Sequence, residues 1–249
     1  HDPTNFQDLS TISNAHTPNN NVQWNWDFAD THTSNIQNPI HTFDEDGTYN
    51  VALTVTSNHG CVNDTILSVI VYPLPTVSFE GVNLEGCAPV CVEISSTSTI
   101  NSTSSLDKFE WLLSDGRTYS GDSFTDCFEN LTGNDINYGL MLRVTSDKGC
   151  VNDASVDNYI SVYHNPIANF SYRPSKISVV DPVVTFQNTS QYADYYNWDT
   201  GYQSGITDIN PVVKYPFSAK EYIAILVAYT NQGCTDTARA VIKIIIICI

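Results

Sequence analysis

The chain has 249 residues, 41% of them hydrophobic, which is enough to build cores and excludes a wholly disordered polypeptide. Ten Lys and Arg against 27 Asp and Glu leave a net charge of −17. That balance excludes a nucleic-acid-binding surface, which must neutralise phosphates, and attraction to an anionic membrane face.

In chain order, Phe6-Gln7-Asp8-Leu9-Ser10 is the first predicted strand, and Trp24, Trp26 and Phe28 then alternate with Asn25 and Asp27. Tyr49, Val51, Leu53 and Val55 alternate again after the turn at Asp46-Gly47, and Asn58-His59-Gly60 marks the next reversal. A second set follows: Pro75–Phe79, Val90–Ile94, then Phe109, Trp111 and Leu113, then Tyr138, Leu140, Leu142 and Val144. A third runs from Pro166–Phe170 through Phe186–Ser190, Tyr196 and Trp198 to Tyr222 and Leu226. No stretch carries a 3.6-residue period. The tail, Val241-Ile242-Lys243 and then Ile244 to Ile249, is too short for a membrane-spanning helix of about 20 residues.

Three strings recur: Gly60-Cys61-Val62-Asn63-Asp64, Gly149-Cys150-Val151-Asn152-Asp153 and Gly233-Cys234-Thr235-Asp236. Trp26, Trp111 and Trp198 keep the same beat, as do Tyr49, Tyr138 and Tyr222, so the chain repeats a unit of about 85 residues. Proline clusters at Pro73-Leu74-Pro75 and at His164-Asn165-Pro166 set the boundaries, giving units at 1–72, 73–163 and 164–249. Many short alternating strands with turn signals predict an all-β fold, three immunoglobulin-like antiparallel β-sandwiches in tandem. Short proline-rich junctions are stiff, so a rod is expected.

The first unit reads Trp24-Asn25-Trp26-Asp27-Phe28-Ala29-Asp30, then Asn38-Pro39-Ile40-His41-Thr42-Phe43, then Gly47-Thr48-Tyr49-Asn50-Val51-Ala52-Leu53. This resembles the PKD (polycystic kidney disease) domain, with its W-x-F-G-D-G, N-P-x-H-x-Y and G-x-Y-x-V-x-L strings. The Gly-Cys endings are similar to PKD repeats of secreted and surface proteins of Bacteroidota. The second unit departs from the pattern: it has Trp111-Leu112-Leu113-Ser114-Asp115-Gly116 and no Asn-Pro-x-His string. The third keeps Trp198-Asp199-Thr200-Gly201 and Asn210-Pro211. The resemblance makes His41 a structural residue.

No G-x-S-x-G, H-E-x-x-H, phosphate loop or dinucleotide fingerprint is present, so no enzyme is expected. Some PKD domains carry calcium, and Asp27, Asp30, Asp44 and Asp46 are the candidate oxygen ligands for it; otherwise they are solvated turns and no cofactor is needed. None of the seven cysteines forms a C-x-x-C pair, which favours disulfides in an oxidising compartment over thiolate metal binding. Cys91 alternates out of phase with Val90, Val92 and Ile94, and Cys127 precedes an inward Phe128 on a neighbouring strand of such a sandwich, so Cys91–Cys127 is one candidate bridge. Cys87 and Cys234, at facing ends of the second and third units, are a second; a free thiol is the alternative at each site.

Asp64-Thr65-Ile66 and Asp236-Thr237-Ala238 fit the D-[S/T]-apolar pattern of Bacteroidota O-glycosylation, with Thr65 and Thr237 in a surface loop. The first unit has no counterpart of Pro75–Phe79 or Pro166–Phe170 and is expected to lack its first strand. The apolar tail residues Ile244, Ile245, Ile246, Ile247 and Ile249 are the assembly candidates for filling that groove in another copy. The expected function is a non-catalytic extracellular or cell-surface segment, a stalk, adhesin or filament subunit. Its partners are other copies of itself or further domains of a longer chain, and surface glycans, with no membrane insertion. The alternative is a glycan- or protein-binding module of a secreted hydrolase, with Tyr192, Tyr195 and Tyr202 as exposed candidates.

Overall fold

The computed structural model describes residues 2–11 and 22–246. Among these the chain is built of β-strands without a helix, arranged as tandem immunoglobulin-like sandwiches.

The first unit has β1 (Thr4–Asn5), β2 (Gln23–Asp27), β3 (Thr33–Ser34), β4 (Ile40–His41), β5 (Gly47–Thr56) and β6 (Val62–Val71). Strands β3-β2-β5-β6 form one antiparallel sheet, and β1-β4 face it. The second unit has β7 (Phe79–Val82), β8 (Glu85–Cys87), β9 (Val90–Ser96), β10 (Leu106–Leu113), β11 (Thr118–Ser120), β12 (Ser123–Phe128), β13 (Ile136–Ser146) and β14 (Val151–Tyr163). Its sheets run β11-β10-β13-β14-β8 and β12-β9-β7. The third unit has β15 (Phe170–Arg173), β16 (Ile177–Ser178), β17 (Val183–Asn188), β18 (Tyr195–Asp199), β19 (Ser204–Ile206), β20 (Val212–Lys214), β21 (Lys220–Tyr229) and β22 (Thr235–Ile245). Its sheets run β16-β22-β21-β18-β19 and β15-β17-β20.

Period-two alternation explains the burial. In β9, Val90, Val92 and Ile94 are buried while Cys91 and Glu93 face solvent. In β21, Tyr222, Ala224, Leu226 and Ala228 are buried. Trp26, Trp111 and Trp198 lie directly opposite Leu53, Leu142 and Leu226 on the neighbouring long strand. Each tryptophan anchors a separate buried cluster, one per unit.

The first unit differs at its edge. In the second unit β8 pairs parallel with the end of β14, and in the third β16 pairs parallel with the end of β22. Phe79 and Phe170, from β7 and β15, pack edge-on against Trp111 and Trp198 at 5.6 and 5.1 Å. Among the described residues the first unit has no strand in either role. Val69, opposite Tyr49, is only half-buried, whereas Ile160, opposite Tyr138 in the second unit, is fully buried. Among the described residues the indole Nε1 of Trp26 is buried without a partner, whereas Trp111 and Trp198 donate to the carbonyls of Gly121 and Asp208 at 2.9 and 3.0 Å.

Candidate functional site

Among the described residues two disulfides are formed. Cys91 and Cys127 stand directly opposite each other on β9 and β12, with Cα atoms 3.9 Å apart. Cys87, at the end of β8, is bonded to Cys234, immediately before β22; this bond joins the second unit to the third across 147 residues. Among the described residues Cys61 is an exposed free thiol and Cys150 a half-buried one, whose Sγ approaches the Tyr72 carbonyl. Cys248 lies outside the described residues.

Around the Cys87–Cys234 staple the junction is polar and close. Gln232 of the third unit donates to Asp135 of the second at 2.9 Å, and Asp135 also meets the His164 ring at 2.7 Å. Asn165 donates to the Ala88 carbonyl at 2.6 Å. The Tyr192 ring lies against Gly133, where a Cβ would sit 2.2 Å from the ring. Between the first and second units, Asn101 donates to Asp46 at 3.0 Å, and the linker residues Pro73 and Pro75 are buried.

The four calcium candidates do not converge. Asp27 accepts the Ala29 amide and stays exposed, Asp44 is exposed, and Asp46 is taken by Asn101. Asp30 instead faces two imidazoles. Its Oδ2 lies 2.6 Å from His41 Nε2, and its Oδ1 lies 3.3 Å from His32 Nδ1. Phe28 stacks on the His41 ring at 4.0 Å and Phe43 meets it edge-on at 4.7 Å, which fixes the imidazole. Burial pushes the Asp30 carboxyl up, but the bonds from His41 and the His32 amide and the nearby imidazoles outweigh it, leaving it below the ordinary carboxylate range. His32 is not among the residues the sequence offers as ligands, although its place two residues after Asp30 is the signal that points to it.

In the second unit the same corner holds an ion network. Arg117 donates to Asp115 at 2.8 Å and to Asp126 at 2.7 Å, with its guanidinium 4.1 Å above the Phe128 ring. Tyr119 also donates to Asp126, and its phenol is pushed up to about 12 by burial first and by that hydrogen bond second.

Thr65 and Thr237 are exposed, but they lie within β6 and β22 rather than in a loop. The hairpins are tighter than the sequence reading assumed: Ser57 N–H to Cys61 O and Thr230 N–H to Cys234 O close each turn before the threonines. Ile244 is 2% exposed and pairs with Ile177 in its own unit, Ile245 pairs with Ser178, and Ile246 is 70% exposed. Ile247 and Ile249 lie outside the described residues. Tyr195 donates to Asn231, and Tyr202 packs near Tyr215 and Tyr222, so each exposed tyrosine has a partner within the fold.

Residues 5–71 match the family described as PKD domain. Over 151 residues the chain is 28% identical to the pre-pro-metalloprotease PrtV of Vibrio cholerae serotype O1; the match takes in 59% of this chain and 16% of that protein. The chain thus spans a small fraction of the relative's length. Among solved structures it is similar to the PKD1 domain of Vibrio anguillarum Epp, at 22% identity over 33% of this chain and 95% of that one, TM-score 0.29. It is also similar to the PKD1 domain from the Vibrio cholerae metalloprotease PrtV, at 27% identity over 32% and 96%, TM-score 0.28.

Proposed function

We propose, from the premise that the chain is a tandem of PKD-like domains, that it is a non-catalytic structural segment of an extracellular or cell-surface protein, a stalk or filament subunit. The observation that supports this reading is the Cys87–Cys234 bond between the second and third units. A disulfide between domains limits their relative motion and persists in an oxidising compartment. Spacing is the function, and contacts with other copies or with further domains of a longer chain are its partners.

The test is small-angle scattering and electron microscopy of the oxidised chain beside a Cys87→Ser/Cys234→Ser variant. An extended particle that bends at the second junction only in the variant supports a spacer. A compact particle, or tight capture on a glycan array with the staple irrelevant to it, overturns it.

A further inference from the structure

We propose that Asp30, His32 and His41 form a site for a divalent transition cation of the zinc class. Among the described residues these side chains bring three ligating groups together, with all donor atoms within 4.8 Å of one another. Asp30 and His41 are nearly sealed, at 15% and 12% exposure, and His41 is clamped between Phe28 and Phe43. His32 is 63% exposed and free to swing towards the ion. Two imidazoles and one carboxylate are poor company for calcium, which takes six to eight oxygens, and suit zinc, copper or nickel. Three protein ligands and a water complete a tetrahedral shell. Without an ion, His41 Nε2–H donates to the Asp30 carboxylate at 2.6 Å; ligation through Nε2 moves the ring proton to Nδ1, and the ion takes the place of that hydrogen bond.

The other two units show what this corner is for. Asp115 lies four residues after Trp111, as Asp30 lies four after Trp26; Arg117 lies six after, as His32 does. Asp126 lies two before Phe128, as His41 lies two before Phe43. The turns match too: the Phe28 amide donates to His32 O at 3.1 Å and the Leu113 amide to Arg117 O at 2.9 Å. In the second unit, then, this corner already holds a cation, the Arg117 guanidinium, gripped by two carboxylates and lying over Phe128. The third unit has Tyr202 and Val213 at the equivalent places and fills the corner with aromatic rings. The first unit keeps the carboxylate and the aromatic floor, and replaces the guanidinium and second carboxylate with imidazoles. A corner built for an internal cation has become one that takes a cation from solution.

The experiment is calorimetric titration of the whole chain with zinc chloride, its free thiols first alkylated so that Cys61 and Cys150 do not compete. It is paired with thermal melting and with the visible spectrum of the cobalt(II) form. One equivalent binding in the micromolar range, a raised melting temperature and a cobalt d–d band are expected, with at least tenfold weaker binding in His32→Ala. His41→Val, which installs the residue of the third unit, is expected to abolish the band. His32→Ala carries the test should His41→Val unfold, because its side chain lies mostly in solvent. Absent zinc binding overturns the proposal. So does zinc affinity unchanged in His32→Ala, or a calcium response that equals that of zinc.

Discussion

Tyr215 is the largest hydroxyl-bearing side chain sealed inside the third core, 1% exposed, and its OH donates to the Thr200 carbonyl at 2.9 Å. Burial pushes its phenol up to about 12, against roughly 10 in an unfolded chain. A raised folded pKa contributes stability that is complete below pH 10 and is lost as pH climbs towards 12. Tyr215→Phe leaves a buried carbonyl unpaired and is expected to cost about 1–3 kcal/mol at neutral pH. It should also flatten the alkaline decline of that unit, read by urea unfolding at pH 8 and pH 11; parallel declines in the two proteins refute the assignment. The tryptophans offer a second residue-scale contrast. Trp111→Phe strips the Gly121 carbonyl of its donor, whereas Trp26→Phe removes a buried N–H that has no partner among the described residues. The first is therefore expected to destabilise its unit by about 1 kcal/mol more than the second does. Equal losses in denaturant melts of the two variants count against the lone-donor reading of Trp26. The tryptophans, tyrosines and outward cysteines were legible because alternation alone sets their direction. The Asp30–His41 pairing was not, since it depends on the turn between β2 and β3 meeting β4.

At the scale of elements, the Cys91–Cys127 bond ties β9 to β12 across a 36-residue loop on the outer face of its sheet. Both cysteines are exposed, so replacing them leaves no cavity. The chain-entropy estimate for such a loop is about 3–4 kcal/mol, and a Cys91→Ser/Cys127→Ser variant should lose about that much stability in denaturant unfolding. A loss near zero means that the strands are held by packing alone. The long strands could be read from period two, and so could the hairpins that join them. The short parallel partners could not: β8 has three residues and β16 two, and neither carries a pattern of its own. Their place is set by contact with β14 and β22, which no local signal announces. Missing such a partner, β6 should exchange its amide hydrogens faster over Ser68–Val71 than β14 does over Ser161–Tyr163. Mass-spectrometric exchange that finds equal protection refutes this.

Across the whole molecule, the repeat was visible in the spacing of tryptophan, tyrosine and Gly-Cys strings. The junctions were not, because Gln232, Asp135, Tyr192 and Gly133 meet only once two units are docked. Gly133→Val places a side chain where the Tyr192 ring lies, and is expected to loosen that junction without melting either core. Scattering reads the former and tryptophan fluorescence the latter; an unchanged particle dimension counts against the contact. The Cys87–Cys234 bond has a mechanical consequence as well. Tension applied at the two ends of the chain enters through the first unit, reaches Cys87, crosses the sulfur bridge and leaves through β22. The residues between the two cysteines carry no load, although they make up most of two domains. Only the first unit, β7 and β8 ahead of Cys87, and the last strand can yield to a pull while the bond holds. Reductant returns 147 residues to the line of force and should lengthen the fully stretched molecule by about 500 Å in an optical trap. In this sense the thiol–disulfide balance of the surroundings sets how far the tether can give before it breaks.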